Sequence, residues 1–165
     1  MLFEVSKGVS VSTLLAVTFG SIAAKTLGDA PFNLSATASS GLTVQYSTAS
    51  DKITITGSQV ALIKSGSVTI DASQSGNTNF TAATTVSQTL CINPAKPTVT
   101  ASNVDTETPL LTSNSTSGNQ WFLNGSAISG ATSSTLTVSQ VGIYKVQVIV
   151  DGCAKIGRAS CRERV

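Results

Sequence analysis

Apolar and polar residues alternate in short runs along most of the chain. Between Val17 and Ile92 the runs LSATA, TVQYS, KITIT, QVALI and SVTIDAS recur at a spacing of about ten residues, each ended by Ser, Gly, Asn or Asp. A period of two puts successive side chains on opposite faces, so each run predicts a half-buried β-strand. The runs PTVTAS, PLLTSN, NQWFL, STLTVS and YKVQVIV continue the pattern after Asn93-Pro94-Ala95-Lys96-Pro97. Two prolines there fix φ and disfavour helix or paired strand, which predicts a short, stiff linker over 93–97. No apolar stripe with a 3.6-residue period reaches useful length. The pattern therefore predicts an all-β chain of two tandem sandwich modules, 17–92 and 98–155.

Composition supports the strand reading. Ser and Thr make up more than a quarter of the 165 residues, hydrophobic residues 41% and charged residues 11%. Thr and Val lose χ1 freedom in helices and pack well on a pleated surface. Regular apolar spacing at low charge argues against disorder, although each module is small enough to leave much of its surface wet.

The segment Asn119–Cys153 carries the strongest fold signal. Alternation places Trp121 and Leu123 on one strand face and Gln120 and Phe122 on the other. Asn124-Gly125 then supplies the pair of positive-φ residues a tight hairpin needs. Gly142, Tyr144, Val146 and Val148 follow at the spacing of a tyrosine corner. This arrangement resembles the immunoglobulin-like sandwich, in which a tryptophan fills the space between the sheets. The resemblance implies that Trp121 and Tyr144 are core. It also puts Val146 where the second sheet-bridging cysteine would lie, with Leu110 or Leu111 opposite, so an apolar contact replaces the usual inter-sheet disulfide. A sugar-stacking role for Trp121 is the rival reading. Phe122, an aromatic beside a buried one, is expected to contact the neighbouring module, with a ligand site as the alternative.

The first module has its own resemblance. Lys25–Ser47 and Gly66–Thr84, above all Gly28-Asp29-Ala30-Pro31-Phe32 and Ala72-Ser73-Gln74-Ser75-Gly76-Asn77, resemble the bacterial Ig-like or MBG repeat of very large secreted surface proteins of Bacteroidetes type. The second module resembles the short Ig- or PKD-like modules of the same proteins. Both ends look foreign to these modules. Residues 1–16 lack the charge pattern and cleavage site of a signal peptide and are far short of a membrane span. They are expected to be the ragged end of a preceding module or a false start. Residues 156–165, IGRASCRERV, resemble one reading frame of a sequencing adapter and are expected to be a non-native tail. Setting them aside removes Arg158, Arg162, Arg164 and Cys161, and leaves the body near neutral. The alternative for these arginines, a basic tail for nucleic acid or membrane, has no aromatic residue to support it.

Two cysteines remain, Cys91 and Cys153, flanking the second module. A bridge between them would close about 60 residues and stabilise by roughly 4 kcal/mol in the loop-entropy model, but it needs the linker to fold back. Free thiols, or pairing with other parts of a longer chain, are the alternatives. The family's terminal Asp-Gly-Cys, here Asp151-Gly152-Cys153, favours the bridge.

Candidate chemistry is thin. The chain has no histidine, which removes the commonest general base and the usual Ser and Cys triads and makes metal binding by two cysteines improbable. The acids are scattered. Asp105 and Glu107 are the one close pair, read as solvated charge rather than a glycosidase dyad. Lys52, Lys64 and Asp71 are expected to meet as cross-strand ion pairs. No glycine-rich phosphate loop occurs. The expectation is a non-catalytic structural or adhesion spacer, without cofactor, metal, nucleic-acid partner or membrane span. Its partners would be neighbouring modules of the same chain, with surface proteins or glycans beyond them. The family resemblance implies an extracellular or cell-surface location. The alternative is a carbohydrate-binding accessory module of a secreted hydrolase.

Overall fold

A computed structural model describes residues 15–104, 106 and 108–161, with the side chains of 158–161 excepted. Every regular element among them is a strand. The first nine are β1 (Val17–Phe19), β2 (Lys25–Thr26), β3 (Phe32–Asn33), β4 (Ala36–Ala38), β5 (Gln45–Ser47), β6 (Ile53–Thr56), β7 (Gln59–Leu62), β8 (Gly66–Gln74) and β9 (Ala83–Asn93). They form one sheet in the order β2-β9-β8-β5, facing a three-stranded sheet β3-β7-β6 and the pair β1-β4. Val68, Ile70 and Ala72 of β8 and Leu90 and Ile92 of β9 point inward at every second position. They meet Val17, Phe19, Leu34, Ile53 and Val60 from the facing strands in one buried cluster. Burial of such aliphatic side chains is the main favourable term in a fold of this size. The Phe19 and Tyr46 rings meet at 5.6 Å in a tilted arrangement at its side.

The long hairpin β8–β9 is the spine of this first sandwich, paired from Gly66↔Ile92 to Gln74↔Ala83 with a bulge between Ala72 and Gln74. Its β9 limb was not evident in the apolar pattern. From Thr84 to Gln88 only Val86 is an apolar residue, and that stretch is held by β8 rather than by its own alternation.

The second set comprises β10 (Val99–Ser102), β11 (Leu110–Ser113), β12 (Asn119–Leu123), β13 (Ser126–Ala127), β14 (Thr135–Thr137), β15 (Gly142–Val150) and β16 (Cys153–Cys161). Two sheets result, β10-β11-β14 and β13-β12-β15-β16. The chain crosses between the sheets after β11, β13 and β14, and the space between is filled by Leu111, Trp121, Val138, Tyr144 and Val146. Two tight hairpins shape this half. Asn124 and Gly125 have φ of 50° and 93°, and Asp151 and Gly152 have φ of 46° and 79°, the left-handed pair of a type I′ turn.

Strand β16 runs on through Ile156–Cys161, paired with Gly142–Gln147 of β15, inside the segment expected to be a tail. Backbone ladder bonds ask only for residues with a free N–H and C=O, so this pairing says nothing of where the segment came from. At the other end, Ala16 bridges Thr84 and its carbonyl accepts the Ser39 N–H at 2.9 Å. The remainder of the expected ragged end, 1–14, lies outside the described residues.

Candidate functional site

Trp121 is fully buried, its strand position opposite Val146. Its indole Nε1–H donates to the Ser133 carbonyl at 2.9 Å, so the ring's one polar group is satisfied inside the protein. Tyr144 is 2% exposed, and its hydroxyl donates to the Gln140 carbonyl four residues upstream at 2.8 Å, the geometry of a tyrosine corner. Val146 and Leu111 are fully buried beside them, while Leu110 lies half-buried on the other face of β11. Leu111 is therefore the inward partner in that strand. A ring with no exposed surface cannot stack on a sugar, so Trp121 is a core residue and not a binding platform. Phe122 is half-buried on the outer face of its sheet, with Ala127 and Lys145 as its cross-strand neighbours.

The other sequence-selected residues meet between the two cores. Cys91 on β9 and Cys153 at the start of β16 form a disulfide with Cα atoms 5.8 Å apart and a sequence separation of 62 residues. Lys52 reaches across to Asp151 at 3.0 Å and also donates to the Ser67 carbonyl at 3.4 Å. Gly66 sits against this ion pair with φ of 124°. A Cβ there would lie 2.6 Å from Asp151 Oδ2 and 2.9 Å from Lys52 Cε. Pro94 and Pro97 are buried, and the Pro97 carbonyl packs so closely on Gly157 that no side chain would fit. The connection between the sandwiches is thus tied covalently on one side and packed on the other.

The expected ion pairs need correction. Lys64 pairs with Asp51 and Lys52 with Asp151, whereas Asp71 accepts a hydrogen bond from the Ser87 hydroxyl. Asp71 faces Ser87 directly across the β8–β9 ladder, so the nearest donor is a hydroxyl and not an ammonium. Asp105, Glu107 and the side chains of Arg158 and Cys161 lie outside the described residues, as do Arg162 and Arg164.

Features the sequence did not single out are modest. An open groove of about 250 Å³ is lined by Phe19, Ser21, Lys25 and Phe32, with the Lys25 ammonium 4.7 Å above the Phe32 ring. Ile143, Ile149 and Ile156 are exposed on the outer face of the β12-β15-β16 sheet. Their signal was present in the alternation of β15, whose outward positions are apolar at both ends. No group of three or more His, Cys, Asp or Glu side chains could hold a metal, and no helix is long and apolar enough to cross a membrane, among the described residues.

Strand order, the inter-sheet tryptophan and the tyrosine corner define the class: an all-β protein of two tandem immunoglobulin-like sandwiches. No protein-family model and no curated protein matches the chain. Among solved structures, an I-band fragment of titin is similar at a TM-score of 0.34 with 11% identity, over 88% of this chain. The chain spans 65% of that fragment's length. So distant a likeness adds nothing to the strand order and core on which the class rests.

Proposed function

We propose that the chain is a non-catalytic spacer: two modules, 17–92 and 98–155 joined over 93–97, taken from a long secreted or cell-surface bacterial protein of the MBG-repeat kind. The observation that carries this reading is the junction. A disulfide, an ion pair and two buried prolines fix one sandwich against the next, and a fixed angle between modules is what a stand-off device requires. Disulfides persist in oxidising compartments outside the cytosol, which supports an extracellular setting. The neighbouring modules of the parent chain are its first partners, and Ile143 and Ile149 offer them two exposed apolar side chains on a sheet face that also carries Lys145 and Gln147.

The carbohydrate-binding alternative calls for a row of exposed rings on one sheet face. Trp121 and Tyr144 are interior, and Phe80, 37% exposed, is the one exposed aromatic among the described residues. Small-angle scattering of the oxidised chain tests the spacer: one rigid two-lobed particle is expected. A flexible ensemble of lobes, or saturable binding on a glycan array, would remove the reading.

A further inference from the structure

Cys91 lies near the end of β9, the last strand of the first sandwich, and Cys153 opens β16, the last strand of the second. Every buried residue of the second core, Leu111, Trp121, Val138, Tyr144 and Val146, falls between them. A chain pulled at its ends carries tension along its shortest covalent path. Here that path leaves the backbone at Cys91, crosses one S–S bond and rejoins the backbone at Cys153. Residues 92–152 are left outside it.

We propose that the disulfide takes residues 92–152, which hold every strand of the second sandwich except β16, out of the load path, so that this stretch is a side-held reserve of length released by reduction. The inference rests on the spacer reading above. The surroundings of the bridge suit the role. Strands β9 and β16, from different sheets, come into contact, and Lys52–Asp151 spans the same junction. Tension arriving along β9 therefore passes straight into β16. Load on a sandwich strand must break its ladder before the chain lengthens, whereas load on the bridge meets a covalent bond.

Release is a two-electron step. Cys91 is half-buried while Cys153 is 3% exposed, so the thiolate of a dithiol reductant attacks Cys91 Sγ and the Cys153 sulfur leaves as a thiolate that takes up a proton. The reductant's second thiol then resolves the mixed disulfide. It departs as a cyclic disulfide and leaves Cys91 as a thiol. Tension now runs through the 62-residue separation, which at about 3.3–3.6 Å per residue adds about 200 Å of contour length.

Single-molecule pulling of the full chain between two handle domains tests this, first oxidised and then with a dithiol in the buffer. The oxidised chain is expected to extend without the second module's share, and the dithiol is expected to add about 200 Å. That length appears as a separate unfolding step if the reduced sandwich stays folded and as slack at low force if it does not. The double variant Cys91→Ser/Cys153→Ser is expected to show the longer contour in both buffers, whether or not it folds. An oxidised chain whose Cys91 and Cys153 both resist alkylation yet which yields the full contour would overturn the proposal, and so would a reduced chain that gains no length. The spacer reading fails separately: a first sandwich that opens without measurable resistance removes that role while the contour difference between buffers still stands.

Discussion

The two sandwiches reach similar ends by different means. The first is held by many small aliphatic contacts, with ten buried residues spread over five strands and the segment after β3, and several of its strands are only two or three residues long. The second has a smaller cluster organised around one indole ring and one phenol, each hydrogen-bonded to backbone inside the fold. A distributed core loses little when any one contact goes, whereas a core built on a single large ring depends on it. The second sandwich is also the one closed at its ends by the disulfide, in keeping with the limited burial a small module can achieve.

The sharpest way to break this contrast is Trp121→Ala. Loss of a fully buried tryptophan costs about 3–5 kcal/mol, enough to unfold the second sandwich while the first persists. Calorimetry is expected to show the transition of the second sandwich gone or far lowered and that of the first in place. Simultaneous loss of both would mean that the junction makes one cooperative unit. Gly66→Ala probes the junction itself. The substitution forces φ of 124° on an L residue and drives a methyl into the Lys52–Asp151 pair. Strain of that kind costs about 1–3 kcal/mol, and it is expected to lower the transition of the first sandwich and widen the particle in scattering.

How much of this could be read from the residues differs between the halves. In the second, Trp121, Asn124-Gly125 and Tyr144 each carry a specific local demand, so strand, turn and corner were legible within one short stretch. Leu111 rather than Leu110 was decided only by register, because both are equally apolar. In the first, alternation revealed β4 to β8 in outline but not β9. Its N-terminal half takes its place from pairing with β8, a long-range relation that no local pattern records. The two- and three-residue strands β1 to β3 were hidden for the same reason. The cysteine pairing was left open by the residues themselves. It needs the linker to fold back with Pro94 and Pro97 buried, and buried prolines look the same in sequence as exposed ones.

Tyr144→Phe sharpens the comparison at smaller cost. It keeps the ring in the core and removes one hydrogen bond to the Gln140 carbonyl, worth about 0.5–1.5 kcal/mol net. Trp121 is the only tryptophan in the chain, so its emission reports the second sandwich alone. Urea unfolding followed by that emission is expected to shift to lower midpoint with the slope unchanged. An unshifted midpoint would show that the corner contributes packing only.

The smallest effect concerns charge, and it belongs to the first sandwich. The Lys64 ammonium donates a hydrogen bond to Asp51 and adds its positive charge beside it, which holds the Asp51 carboxyl below the ordinary carboxylate range. A carboxyl whose folded value is depressed stabilises the fold above its unfolded value, about 3.9, and that contribution fades as pH falls through the lower folded value. The loss is thus confined to strongly acidic solution. Both side chains are largely exposed, where water and salt screen the pair, so the change in melting is expected to be slight and to shrink further in high salt. A carbon-detected NMR titration is expected to place the Asp51 midpoint below that of an ordinary aspartate. In Lys64→Gln it is expected to return to the usual range while the unfolding of the second sandwich at neutral pH stays where it was. A midpoint unmoved by that substitution would mean that another group sets the Asp51 charge.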